Sequence, residues 1–234
     1  MDCPGEKIAI ITGAGSGIGQ VAATLLVERD AAVIIADING RTATASAPHE
    51  RGLSSVATIT DLGDEVQIAE MIQKSVREYG GLDILYNDAA LRATDVVDRD
   101  MAINDIGVKP FARVLLVDVS RSLHSAKDAN PQMPARCRGG MINTSAGTAR
   151  LGERIRPMYS TSKAAIIGMT RNIVTQNGKQ GFHSIAIARG FIVTPAVAAT
   201  IPPEVRRLSD ALHAATARRP PRIRCQSRRL SCVR

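Results

Sequence analysis

Short apolar runs alternate along the chain with longer stretches in which apolar positions recur every three or four residues. The runs at 7–11, 32–36, 54–60, 82–86, 140–144 and 184–188 are strand-length and mostly rich in Ile, Val or Leu, which predicts six strands. Residues 18–29, 64–79 and 159–174 carry helical spacing, as with Val66, Ala69, Ile72 and Val76 in the second of them. A further long helical stretch is expected around 101–129. The Lys109-Pro110 and Asn130-Pro131 steps should break or bend it, because proline lacks the amide that a helix ladder needs and restricts the residue before it. Strands alternating with helices predict right-handed crossovers, a parallel sheet, and ligands at the carboxyl ends of the strands.

Composition fits one such unit. A chain of 234 residues with 44% hydrophobic content can bury a sizeable core. The expected fold class is α/β, a doubly wound, Rossmann-like parallel sheet in a single domain over residues 1–204, followed by a tail at 205–234. No apolar stretch reaches bilayer length, and the opening residues Met1 to Lys7 lack the basic and apolar regions of a signal peptide, so a soluble, cytoplasmic protein with no membrane partner is expected. Cys3, Cys137, Cys225 and Cys232 show neither metal-ligand spacing nor a disulfide framework; reduced thiols and no metal are the expectation.

Charge changes the picture only at one end. Of the net +8, nearly all comes from residues 201–234, which hold nine arginines, no lysine and two acidic residues. The rest of the chain is almost neutral, so a nucleic-acid partner is not expected for the domain. The segment 218–234 has no helix or strand period and contains prolines, which reads as a solvated, disordered tail.

Two motifs carry chemistry. Thr12-Gly-Ala-Gly-Ser-Gly-Ile-Gly19 directly follows the first strand and opens the first helix. Missing Cβ atoms there let backbone approach a pyrophosphate closely, while the free amides of the helix N-terminus face the phosphates. Asp37 ends the second strand 18 residues after Gly19, where a carboxylate can accept hydrogen bonds from an adenosine ribose. Tyr159 and Lys163 stand four apart, on one face of a helix, where a cation can lower the phenol's pKa and make an acid/base pair usable near neutral pH. Together they predict redox chemistry on a carbonyl or alcohol.

In order and wording these motifs resemble the short-chain dehydrogenase/reductase family over roughly residues 6–200. The spacing of Gly13, Gly17 and Gly19 is the family's, and the resemblance places Ser16 and Ile18 in the same cofactor loop. It implies that Asp37 and Ile38 flank the adenosine ribose. No basic residue stands at 38 or at 17, where many NADP-using relatives carry one, so the expected cofactor is NAD. Asp61 and Leu62 match the family's adenine-contacting pair. Asn87-Asp88-Ala89-Ala90 occupies the slot of Asn-Asn-Ala-Gly, with Asp88 and Ala90 as departures that should weaken NAD binding through charge and an added methyl. Arg189-Gly190 stands for Pro-Gly, leading to Ile192 and to Thr194, whose counterpart meets the nicotinamide carboxamide.

By the same resemblance Tyr159 gives or takes the hydroxyl proton, Lys163 lowers its pKa and holds the nicotinamide ribose, and Asn104 supports a water-linked proton relay. The family's substrate-binding serine lies 13 residues before the tyrosine; here that residue is Ala146, and Ser145 precedes it. Neighbouring strand residues face opposite ways. Ser145 is therefore the catalytic serine only if the loop at 146–158 shifts register. Resemblance ends near residue 204, before the family's last helix and strand and much of its oligomer interface, so homo-oligomerisation stays open. The expected function is hydride transfer between NAD and a small secondary alcohol or ketone. The alternative is an impaired family member that binds NAD or a partner without turnover.

Overall fold

The computed structural model describes residues 7–40, 55–90, 100, 102–133, 139–151, 155–190 and 192–194. The chain falls into two units, Met1–Ile192 and Val193–Arg234. Every described helix and strand belongs to the first; of the second only Val193 and Thr194 are described, so the expected boundary at 204 and the basic tail lie outside the described residues.

All six expected strands form, and they join in one parallel sheet: β1 (Ile8–Thr12), β2 (Ala32–Asp37), β3 (Ser55–Ile59), β4 (Ile84–Asn87), β5 (Gly140–Ala146) and β6 (His183–Arg189). Their order is β3-β2-β1-β4-β5-β6. The chain builds outward from β1 to one side and then resumes on the other, so the order reverses between β1 and β4. The carboxyl ends of these two strands border the crevice where sheets of this kind take ligands.

Among the described residues the helices are α1 (Gly17–Val27), α2 (Glu65–Tyr79), α3 (Val108–Leu115), α4 (Arg121–Ala129), α5 (Thr148–Leu151) and α6 (Pro157–Asn177), with a π turn, Leu116–Ser120, joining α3 to α4. Successive strand residues face opposite sides of the sheet. Ile10, Ile34, Leu85 and Met141 therefore pack with Ile68, Met71 and Ile72 of α2 and with Ala126 and Ala129 of α4. Ala9, Ile11, Val33 and Ile35 pack instead with Ala23 and Val27 of α1. Burial on both faces is why β1 reads as an unbroken apolar run. No described helix is long and apolar enough to cross a membrane.

Two boundaries differ from expectation for identifiable reasons. The fourth strand begins at Ile84, not 82, because the buried Asp83 turns its carboxylate to the Ile8 amide at 2.9 Å and anchors the start of β1. The long helix expected around 101–129 is three pieces. Pro110 sits in the first turn of α3, where no intrahelical amide is needed, with Gly107 in extended conformation before it; it sets where the helix starts rather than breaking it. Pro131 ends α4 as expected, one residue past the Asn130 cap.

Candidate active site

The glycine turn sits at the carboxyl end of β1 and is built from close approaches. Gly13 has φ +68°, and a Cβ there would lie 2.8 Å from Ala89 Cα; a Cβ on Gly19 would lie 2.6 Å from the Gly13 carbonyl oxygen. Gly17 has φ +60°. These positions therefore admit only glycine without strain, and the turn packs directly on the segment after β4. Thr12 ties the two together: its Oγ1 accepts from the Asp88 and Ala89 amides at 3.2 and 3.4 Å. That role of Thr12 was not read from the sequence, although a hydroxyl ending a strand beside a glycine turn is a visible signal.

Helix α1 opens with an uncapped end. Ser16 at its N-cap is exposed and forms no side-chain cap bond, no acidic residue stands in the first turn, and the first intrahelical amide is that of Gln20, bonded to the Ser16 carbonyl at 3.3 Å. The amides of Gly17, Ile18 and Gly19 precede that bond, the feature that suits a helix start to an anion. Asp37 leaves the tip of β2 with Oδ2 accepting from the Gly15 amide and Oδ1 from the Asn39 amide, both at 2.9 Å. Ile38 is exposed beside it, and so is Ile59, the register partner of Asp37 at the end of β3, which the sequence reading overlooked. Asp61 closes a short turn by accepting from the Gly63 amide, while Leu62 leans on the core under α2. Amides, the Asp37 carboxylate and exposed apolar side chains thus follow one another along this edge, and the residues present fit a nucleotide cofactor.

Past β4, Asn87 donates to Asn143 at 2.9 Å across the sheet, and Asn143 in turn donates to Thr170 of α6 at 3.1 Å. Asp88 is buried, with Oδ1 accepting from the Thr144 hydroxyl at 2.7 Å and the Tyr86 hydroxyl at 3.3 Å. Two neutral hydroxyls thus bond one oxygen of the carboxylate, one of them from Thr144 on β5. Burial raises the Tyr86 phenol above its ordinary pKa of 10.0, and the Asp88 charge adds to the shift.

Tyr159 and Lys163 are both on α6, as their spacing predicts. Lys163 is only 3% exposed and donates to the Thr144 carbonyl at 3.2 Å. Its ammonium lies 5.6 Å from the centre of the Tyr159 ring, and the Arg156 guanidinium lies 5.3 Å from the same ring. Burial holds the Lys163 pKa below its ordinary 10.5, against the opposing pull of Asp118. Asp118 belongs to a buried cluster missed from sequence: it accepts from Arg121 and, at 3.2 Å, from the Ser162 hydroxyl next to Lys163.

Ser145 is fully buried and its hydroxyl donates to the Lys163 carbonyl at 2.8 Å, so it is turned toward α6 and closed to a substrate. Ala146 ends β5 opposite Arg189. Asn104 is exposed on the 3-10 turn Ile103–Asp105 and makes no hydrogen bond among the described residues. Ile192 follows β6 and is exposed, and Thr194 is described in the second unit.

Residues 7–204 match the family model described as short chain dehydrogenase. The chain is 31% identical over 202 residues to cis-4-hydroxycyclohexanecarboxylate dehydrogenase of Sinomonas cyclohexanicum, spanning 86% of this chain and 79% of that protein. It is 37% identical over 189 residues to galactitol 2-dehydrogenase of Agrobacterium fabrum, spanning 80% and 71%. In structure it resembles a 7α-hydroxysteroid dehydrogenase solved with NADH and 7-oxo glycochenodeoxycholic acid, with a TM-score of 0.78, 27% identity, and coverage of 86% of this chain and 77% of that one. The family match over most of the chain and the dehydrogenases it resembles show that the chain belongs to the short chain dehydrogenase family and is an oxidoreductase that transfers hydride between a nicotinamide cofactor and an alcohol or ketone.

Proposed function

We propose that the chain uses NAD, with Tyr159 and Lys163 as its proton-transfer pair, on a small secondary alcohol or ketone. The observation that carries the cofactor reading is Asp37, whose carboxylate stands at the tip of β2, bonded to the glycine turn at 2.9 Å, with the uncharged Ile38 beside it. A 2′-phosphate placed there would meet like charge, whereas ribose hydroxyls would donate to it. Amides 17–19 at the start of α1 would hold the pyrophosphate, and exposed Ile38 and Ile59 would cover the adenine.

The bound nicotinamide supplies or accepts the hydride at the substrate carbon. Tyr159 passes the hydroxyl proton, and the Lys163 ammonium 5.6 Å from the ring stabilises the phenolate that this leaves. The relatives act on a hydroxycyclohexane acid and a polyol, so cyclic hydroxy acids and polyols are the first substrates to screen. Paired titrations with NAD and NADP test the cofactor. NAD should bind more tightly, and Asp37→Ala should narrow the difference; equal binding of NADP by the unaltered protein defeats the reading.

One observation favours a second reading, in which the protein binds NAD with little or no turnover. Ala146 offers no hydroxyl at the end of β5, and the Ser145 hydroxyl is held by Lys163. A substrate oxygen would then lack one donor in the transition state.

A further inference from the structure

The amides at the start of α6 that precede the intrahelical ladder bond to one residue from elsewhere in the chain. Pro157 is the first helical residue and has no N–H. The Arg156 amide donates to the Asp100 carbonyl at 2.7 Å, the Met158 amide to Asp100 Oδ1 at 2.8 Å, and the Tyr159 amide to Asp100 Oδ2 at 2.9 Å. The next amide, of Ser160, begins the intrahelical ladder by bonding the Arg156 carbonyl at 2.9 Å. Arg156 cannot cap the helix itself: it makes no side-chain cap bond and sits at φ +65°, in the left-handed region that a non-glycine residue occupies only when its surroundings impose it. Asp100 is 4% exposed. A buried carboxylate is tolerated when its oxygens are hydrogen-bonded, and two amides at the positive end of a 21-residue helix supply charge-assisted bonds.

We propose that Asp100 is a positioning residue for the reaction: it fixes the first turn of α6 and with it the placement of the Tyr159 phenol relative to Lys163. The inference rests on the reading of Tyr159 and Lys163 as the proton-transfer pair. The amide of Tyr159 is itself one of the three that Asp100 holds, so any rotation of that turn carries the phenol with it. Lys163 is secured independently, through its ammonium on the Thr144 carbonyl and its own carbonyl on the Ser145 hydroxyl. Removing Asp100 therefore displaces one member of the pair and leaves the other, and it touches neither the glycine turn nor Asp37. Misplacement of a reacting group by about 1 Å costs on the order of 10²-fold in rate.

The test combines amide hydrogen exchange with kinetics on the full chain, using NAD and cis-4-hydroxycyclohexanecarboxylate as probes. In Asp100→Ala, exchange at Met158 and Tyr159 should accelerate at least about tenfold while amides beyond Ile166 keep their protection. The Kd for NAD should hold, and kcat should fall on the order of 10²-fold with KM for the probe little changed. Asp100→Asn retains one carbonyl acceptor and should recover part of the loss. Unchanged protection at 158–159, or an unchanged kcat in a folded Asp100→Ala protein, overturns the proposal. If Asp100→Ala does not fold, Asp100→Asn decides: reduced kcat with NAD binding intact supports it, and wild-type kcat overturns it. Turnover retained by Tyr159→Phe would instead defeat the reading of the pair, whereas full turnover in Asp100→Ala beside an inert Tyr159→Phe defeats only the role of Asp100.

Discussion

Ala146 and Ser145 show how much a single position decides. They are adjacent on β5 and both buried, Ala146 at the strand's end opposite Arg189 and Ser145 with its hydroxyl on the Lys163 carbonyl. Adding a hydroxyl at the first site should restore a donor to the substrate oxygen, so Ala146→Ser should raise kcat by as much as 10²–10³-fold, the range a single such donor commonly contributes. Ser145→Ala should leave kcat nearly unchanged and lower stability by about 1 kcal/mol, because it removes a buried hydrogen bond without touching the reacting atoms. Steady-state kinetics and denaturant titration of the two variants check both halves. A loss of turnover in Ser145→Ala without a loss of NAD binding would show that Ser145 reaches the substrate after all. The sequence made this contrast legible because strand alternation is strict. It did not make Asp100 legible, since nothing near an isolated aspartate announces that it will meet a helix start 58 residues away.

At the scale of elements, α6 holds the proposed proton-transfer pair and starts from Arg156 in the left-handed region. It packs on β5 and β6 with Ser162, Lys163, Ile166 and Thr170 buried, so a lysine lies inside the interface, near the buried Asp118 and Arg121. Burial pulls the Lys163 pKa below 10.5, which means that the folded protein binds this proton less tightly than the unfolded chain. The sign follows from linkage: the penalty is fully present below the folded pKa and is relieved as pH rises from that value toward 10.5. Lys163→Met should therefore abolish turnover yet unfold at a Tm at least equal to that of the parent at neutral pH. Its advantage should shrink as pH approaches 10.5. A variant that is less stable at neutral pH, with the deficit constant across that window, would show that the bond to the Thr144 carbonyl outweighs the desolvation of the ammonium. The helix itself was plain from its spacing. The division of the 101–129 stretch was not, because the prolines announce a break without saying that Pro110 will start a helix and that a π turn will join the next.

For the whole molecule, the parallel sheet and the alternation of core residues follow from patterns that local sequence displays, such as apolar runs, glycines after β1 and helical periods between strands, whereas the strand order is seen only in the fold. Long-range polar ties do not display themselves, which is why the Asn87–Asn143–Thr170 bridge, the Thr12 tether and the Asp118–Arg121 cluster emerge only in three dimensions. What those ties hold in place is the crevice at β1 and β4, with the glycine turn after β1, Asp37 at the end of β2, and the tyrosine–lysine pair on the helix between β5 and β6. The central claim is that this crevice performs NAD-linked proton and hydride transfer through Tyr159. The most direct measurement is NADH formation from a secondary alcohol, such as cis-4-hydroxycyclohexanecarboxylate or galactitol, by the parent protein and by Tyr159→Phe, alongside the Kd of each for NAD. The account predicts slow but measurable NADH formation by the parent, none above background for Tyr159→Phe, and equal NAD affinity in the two. Turnover that survives Tyr159→Phe, or a parent that binds NAD and oxidises no alcohol across the screen, would contradict it.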